Sequence, residues 1–129
     1  MKKLAYLAIA SIFASTAVLA ETYKVDFIAP SNTGSPWNYG FVIDLQFAED
    51  GAISGEIKDF YGVKSCRWAD FKVSGKKSPD GKIRWVSERH PLKGCGSIAF
   101  VGKVDGENLV GYLPVFQGVK VDLTLEPKK

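Results

Sequence analysis

Residues 41–58 read FVIDLQFAEDGAISGEIK, and this stretch decides the fold. Apolar residues occupy alternate positions in its first half and again in its second half, which is the period of a half-buried β-strand. Between the halves lie residues 48–51, whose glycine permits the positive φ that a tight hairpin turn requires. The stretch therefore predicts a β-hairpin with one face in a core.

The same alternation recurs along the remaining chain, with turn residues between the runs. Further strands are predicted at residues 23–28, 67–74, 83–88, 97–104, 109–113 and 119–126. Pro79-Asp80-Gly81 predicts a turn, because proline presets one φ and glycine permits the opposite sign. Pro114 is expected to end the pairing of its strand or to place it at an edge.

About eight short strands with regular turn signals indicate an all-β fold. We expect a small antiparallel meander closed into an approximately eight-stranded barrel, since closure removes the exposed strand edges that promote aggregation. A β-sandwich is the alternative.

Residues 1–20 have the pattern of a secretory signal peptide. A pair of lysines is followed by an apolar stretch that ends in Val18-Leu19-Ala20, with residues that signal peptidase accepts at its −3 and −1 positions. The stretch is too short to span about 30 Å of hydrocarbon, so no membrane anchor is predicted. We expect a single domain at residues 21–129 that is periplasmic or secreted.

Cys66 and Cys95 are the two cysteines of the chain. An even number of cysteines in an exported protein predicts a disulfide. Closing the loop between residues 66 and 95 stabilises the fold by roughly 3–4 kcal/mol in the chain-entropy description.

Charge is distributed unevenly along the chain. Residues 21–63 carry a net charge of −5, whereas residues 64–93 carry +6. Because the whole chain has a net charge of only +3 and an expected export signal, nucleic acid is not an expected partner. The basic segment is either a solvated hairpin or a surface that attracts an acidic partner.

Aromatic residues supply the candidate ligand contacts, because aromatic faces bind apolar molecules and sugars. Arg67-Trp68 and Arg84-Trp85 repeat an arginine–tryptophan pair on the two strands of one predicted hairpin. The tryptophans either fill the barrel or line a cavity for a small apolar or sugar-like ligand. The candidate ligand-binding residues are Trp68, Trp85, Tyr61 and Trp37.

The alternative function is an interaction protein, such as an inhibitor of a secreted hydrolase, that acts through the basic loop at residues 84–95. This hypothesis predicts an exposed, protruding loop around His90 and Pro91, braced by the disulfide. The partner would be an envelope or secreted protein. The candidate contact residues are Arg67, Arg84, Arg89, His90 and Lys93.

No catalytic residue is predicted. The chain has a single histidine, which excludes sites built on histidine clusters, and no Gly-x-Ser-x-Gly motif accompanies it. Neither zinc-ligand spacing nor a calcium-binding loop occurs, so we expect no metal and no cofactor. The chain is therefore expected to bind rather than to catalyse. Its oligomeric state stays open.

Trp37, Gly40 and Phe41, followed by Asp50-Gly51 and Ile53-Ser54-Gly55, loosely resemble the opening hairpin of avidin-type barrels. The resemblance implies a barrel and carries over no binding residue. In size, single disulfide and expected barrel, the chain is also similar to small secreted lysozyme inhibitors. That likeness concerns architecture, which does not imply function.

Overall fold

The structure is a computed structural model and describes residues 19–31, 33–63, 66–68 and 70–128. The expected signal peptide therefore lies outside the described residues, apart from Leu19 and Ala20. These two residues begin the first strand and pair with Phe47 and Gln46. Removal of residues 1–20 would leave the remainder of that pairing intact.

Eight antiparallel strands form a closed barrel in which each strand pairs with its neighbours in the sequence. The predicted barrel is thus confirmed. The strands are β1 Leu19–Pro30, β2 Pro36–Phe47, β3 Ala52–Tyr61, β4 Phe71–Lys77, β5 Lys82–Ser87, β6 Ala99–Asp105, β7 Asn108–Phe116 and β8 Val119–Pro127.

The core lies inside the barrel, and the alternating sequence pattern builds it. In β2, the predicted inward residues Phe41, Ile43 and Leu45 are buried. The same period-2 burial occurs in β1 and β5. Because successive side chains of a strand point to opposite faces, one apolar set from each strand is enough to fill the interior.

The two ends of the barrel differ. One end carries tight turns at residues 48–51, 78–81 and 106–107, and we call it the turn end. The other, called the loop end, carries the connections that follow β1, β3, β5 and β7. The predicted disulfide between Cys66 and Cys95 is present, and it joins the two longest connections of the loop end.

The barrel closes through a short seam between β1 and β8. Only Tyr23 with Pro127 and Lys24 with Glu126 pair in register there, and the Lys128 N–H donates to the Thr22 carbonyl oxygen. By contrast, β1 pairs with β2 along its whole length. The seam is therefore the least extensive strand pairing in the barrel.

A bulge in β3 changes which side chains face the core. Gly40 pairs with Tyr61 and Val42 with Lys58, so that β3 has one residue more than β2 at this point. Asp59 adopts a positive φ of 52° within the bulge. Since the extra residue shifts the alternation, Phe60 packs on the core and Tyr61 is exposed.

Several predicted strand boundaries differ from the observed ones, and two of them are informative. The strand expected at residues 67–74 is β4 and begins at Phe71, so Arg67 and Trp68 lie in the preceding connection. The two arginine–tryptophan pairs therefore do not lie on the two strands of one hairpin. The expectation for Pro114 holds on one side of β7: the pairing with β6 ends at Tyr112, whereas the ladder with β8 continues after a register shift to Phe116 and Val119.

Glycines permit close approach between strands and rings. A Cβ at Gly75 of β4 would overlap the Arg84 carbonyl oxygen and lie 2.6 Å from the Trp85 Cα. The Phe100 ring would lie 2.7 Å from a Cβ at Gly102 and 2.9 Å from one at Gly111. The large rings of this small barrel therefore depend on inward positions that lack a side chain.

We predict that Gly75→Ala lowers the free energy of unfolding by about 1–3 kcal/mol, because the new methyl group meets backbone that cannot move independently. Urea denaturation measures the change. Ser74→Ala, at the exposed neighbouring position, is the matched control and should stay within about 0.5 kcal/mol of the wild type. Equal stability of the two variants would contradict the prediction.

Candidate functional site

The barrel interior is occupied by packed aromatic rings. Trp85 stacks on Phe100 with ring centroids 5.7 Å apart and meets the edge of Phe41 at 6.4 Å. Phe27, Tyr39 and Phe116 form a second group of ring contacts. The arrangement favours the interpretation in which Trp85 fills the barrel.

Trp68 is also buried, although it does not lie on a strand. Its ring packs against Phe71 at 5.1 Å and against His90 at 4.8 Å. These contacts attach the connection between β3 and β4 to the rest of the fold. Of the four candidate ligand-binding residues, Trp68 and Trp85 are therefore packing residues in this structure, with 3% and 2% of their surface exposed.

Trp37 and Tyr61 line a common groove at the loop end of the barrel. This rim groove has a volume of about 710 Å³. Trp37 is 49% exposed and Tyr61 is 46% exposed, so both rings are open to solvent. The other side chains that form the groove include Ile28, Asn38, Phe60, Val63 and Arg67.

Strand ends position the two exposed rings. Trp37 lies at the start of β2 and pairs with Ala29 at the end of β1. Tyr61 is the last residue of β3 and pairs with Gly40. Because both aromatic residues belong to paired strands, the groove has a rigid wall rather than one formed by a loop.

Tyr61 is held against the barrel by Gly40 and Asp26. A Cβ at Gly40 would overlap the Tyr61 ring, so the ring lies directly over the glycine. The Tyr61 hydroxyl donates a hydrogen bond to Asp26 Oδ1. This hydrogen bond, with smaller contributions from burial and from the Asp26 charge, raises the pKa of Tyr61 above its ordinary value of 10.0.

Arg67 is the one charged side chain among the described residues of the groove. It lies between Cys66, which is in the disulfide, and the buried Trp68. The Arg67 carbonyl oxygen lies 2.9 Å from His90 Nε2. The main chain on either side of the Arg67 side chain is thus fixed to the rest of the fold.

His90 is buried, with 9% of its surface exposed, so the predicted exposure of this residue was wrong. Its ring stacks on Phe71 at 5.1 Å. The Leu92 N–H donates to Nδ1 at 3.0 Å, which leaves the proton of the neutral ring on Nε2, where it is donated to Arg67. Both ring nitrogens are therefore committed to backbone groups.

The remaining contact candidates do not surround His90 as one surface. Arg84 lies on β5 directly opposite Lys76, with its side chain on the outer face of the barrel. Arg89 and Lys93 are exposed in the connection between β5 and β6. The structure therefore divides the predicted basic loop between a strand, a buried histidine and an exposed connection.

No group of His, Cys, Asp or Glu residues suited to a metal ion occurs in the described part of the chain. Within residues 19–31, 33–63, 66–68 and 70–128, no helix is long and apolar enough to cross a membrane.

The disulfide is consistent with an oxidising, extracytoplasmic location. Comparison with protein-family models, curated proteins and solved structures finds no match.

Sequence reasoning missed Ile28, Phe60 and Val63 as parts of the groove. Ile28 gives no signal in the sequence, because an apolar residue near the end of a strand is common whether or not it contacts a ligand. Phe60 reaches the groove only because of the bulge at Asp59. A non-glycine residue with positive φ leaves no reliable signal in the sequence.

We predict that Tyr61 ionises at higher pH than an ordinary tyrosine and that Asp26→Asn lowers its pKa. Since the folded-state pKa is raised, the stabilising contribution is complete below pH 10 and is lost as the pH rises through the raised pKa. Ultraviolet titration of each protein against its Tyr61→Phe counterpart isolates this group, because burial also raises the pKa of Tyr39.

Asp122→Asn is the control for this titration. Asp122 is an exposed acid on β8, and its replacement should leave the Tyr61 titration unchanged. The prediction fails if Asp26→Asn leaves the Tyr61 pKa at the wild-type value.

Proposed function

We propose that this chain is an exported, non-catalytic binding protein that holds a small apolar ligand in the rim groove. The observation that carries the proposal is the pair of half-exposed rings, Trp37 and Tyr61, on a groove of about 710 Å³. Ligand pockets commonly have volumes of about 300–1,000 Å³ and are lined mainly by apolar and aromatic side chains.

The groove also lies where a binding site is expected in a filled barrel. Trp85 and Phe100 are fully buried side chains in the interior, so a ligand at the rim does not have to displace the core. Exposed aromatic rings on a rigid support bind at a low cost in conformational entropy. The groove therefore fits an apolar molecule better than the barrel interior does.

The proposed location is the periplasm or the extracellular space. The signal-peptide pattern of residues 1–20 and the disulfide between Cys66 and Cys95 support it. Residues 21–129 would then be the working domain. The ligand would be a molecule met after export.

An inhibitor of a secreted hydrolase is the second candidate function. It is supported by Leu92, which is 53% exposed, beside the exposed Lys93 in the disulfide-braced connection. The burial of His90 opposes a contact through that residue. This candidate therefore depends on Arg89, Leu92 and Lys93 rather than on the whole predicted loop.

We predict that Trp37→Ala weakens binding of the neutral apolar dye N-phenyl-1-naphthylamine by roughly tenfold, which corresponds to about 1.4 kcal/mol. The reason is the loss of one aromatic wall of the groove. Dye fluorescence in a titration with the protein measures the dissociation constant, and circular dichroism confirms that the variant is folded.

Leu92→Ala is the matched control, because Leu92 is equally exposed and does not line the groove. It should leave dye binding unchanged. No dye binding to the wild type, or equal binding by wild type and Trp37→Ala, would refute the proposed groove. A hydrolase that is inhibited by the wild type and not by Leu92→Ala would favour the second candidate.

A further inference from the structure

We infer that the ligand of the rim groove is an apolar carboxylic acid whose carboxylate pairs with Arg67. This inference rests on the proposed function and adds the chemical class of the ligand. It follows from the positive charge of Arg67 in an otherwise uncharged described lining, from the absence of an ion-pair partner for it among the described residues, and from the contacts that hold its main chain.

The described lining of the groove combines apolar walls with one cation, Arg67. Ile28, Phe60 and Val63 supply apolar surface, and Trp37 adds an exposed ring. None of the described lining residues is an aspartate or glutamate. A ligand that fills such a groove gains from apolar contact along its body and from a negative charge at one end.

The Arg67 guanidinium has no ion-pair partner among the residues that the structure describes. Asp26, on β1, is already engaged, since it accepts a hydrogen bond from the hydroxyl of the groove residue Tyr61. The fork of an arginine matches a carboxylate with two parallel hydrogen bonds. The arginine is thus available to a ligand.

The main chain of Arg67 is held in place by contacts outside the groove. The disulfide fixes Cys66 on one side, and the burial of Trp68 fixes the other. His90 donates to the Arg67 carbonyl oxygen from the neighbouring connection. Holding the main chain in advance reduces the entropy that binding would otherwise cost.

The one cation in the described lining of the groove matches a singly charged ligand group. A phosphate monoester carries close to two negative charges at neutral pH and is best matched by more than one donor cation. Arg67 alone balances one carboxylate. His90 is not among the described lining residues, and its two ring nitrogens are engaged by the Arg67 carbonyl oxygen and the Leu92 N–H.

The test compares naphthalene-2-acetate with naphthalene-2-acetamide, which have the same shape and differ in charge. Isothermal titration calorimetry of the disulfide-bonded protein at low salt should show about tenfold tighter binding of the acid. Added salt should reduce the difference, since the arginine is exposed. Arg67→Gln should remove the preference and leave the affinity for the amide within about twofold.

Arg89→Gln is the matched control, because Arg89 is exposed and does not line the groove. It should keep the full preference for the acid. His90→Phe tests the positioning of Arg67, since a phenyl ring retains the edge contact with Trp68 and the stacking on Phe71 but cannot donate to the carbonyl oxygen. This variant should lose most of the preference and keep the affinity for the amide.

The outcomes separate the inference from the proposed function. Equal binding of acid and amide to the wild type would overturn the carboxylate inference while the groove remains a binding site. A preference that survives Arg67→Gln would overturn the assignment to Arg67, and one that survives His90→Phe would overturn the positioning role. If neither compound nor the neutral dye binds, the proposed function itself fails.

Discussion

The limited space inside an eight-stranded barrel is the constraint on which the rest of this structure depends. Trp85, Phe100 and Phe41 occupy that space as contacting rings. They fit because Gly102 and Gly111 leave room for the Phe100 ring where other residues would place a side chain. A small barrel can be filled by its own side chains or can enclose a small ligand. Here the side chains occupy the centre, and open aromatic surface is found at the rim.

The two ends of the barrel carry different kinds of connection, and this asymmetry organises the candidate site. Short turns close one end, whereas the long connections at the other are tied together by the disulfide between Cys66 and Cys95. His90 adds a hydrogen bond between the same two connections. Cys66, Cys95 and His90 therefore hold these two connections together. The strands supply Trp37 and Tyr61, and the braced loop supplies Arg67.

Much of the fold could be predicted because alternation is a local property of the sequence. Each strand of residues 41–58 reveals its buried face without knowledge of the rest of the chain. The disulfide was equally predictable from cysteine number and expected export. The burial of Trp68 and His90 could not be predicted, since it depends on two distant connections packing on Phe71. For the site, Trp37, Tyr61 and Arg67 were identified as candidates, but their meeting in one groove depends on the bulge at Asp59.

The seam between β1 and β8 has a topological consequence. Each of the other neighbouring strand pairs is joined directly through a turn or loop, whereas the first and last strands of the described residues meet at the least extensive pairing. A short linker from Lys128 to the start of β1 would make the path circular. New chain ends could then be placed in the tight turn at Asp105–Asn108, far from the rim groove. The barrel is in this sense a ring, and circular permutation would redistribute its long-range contacts while preserving each strand's neighbours.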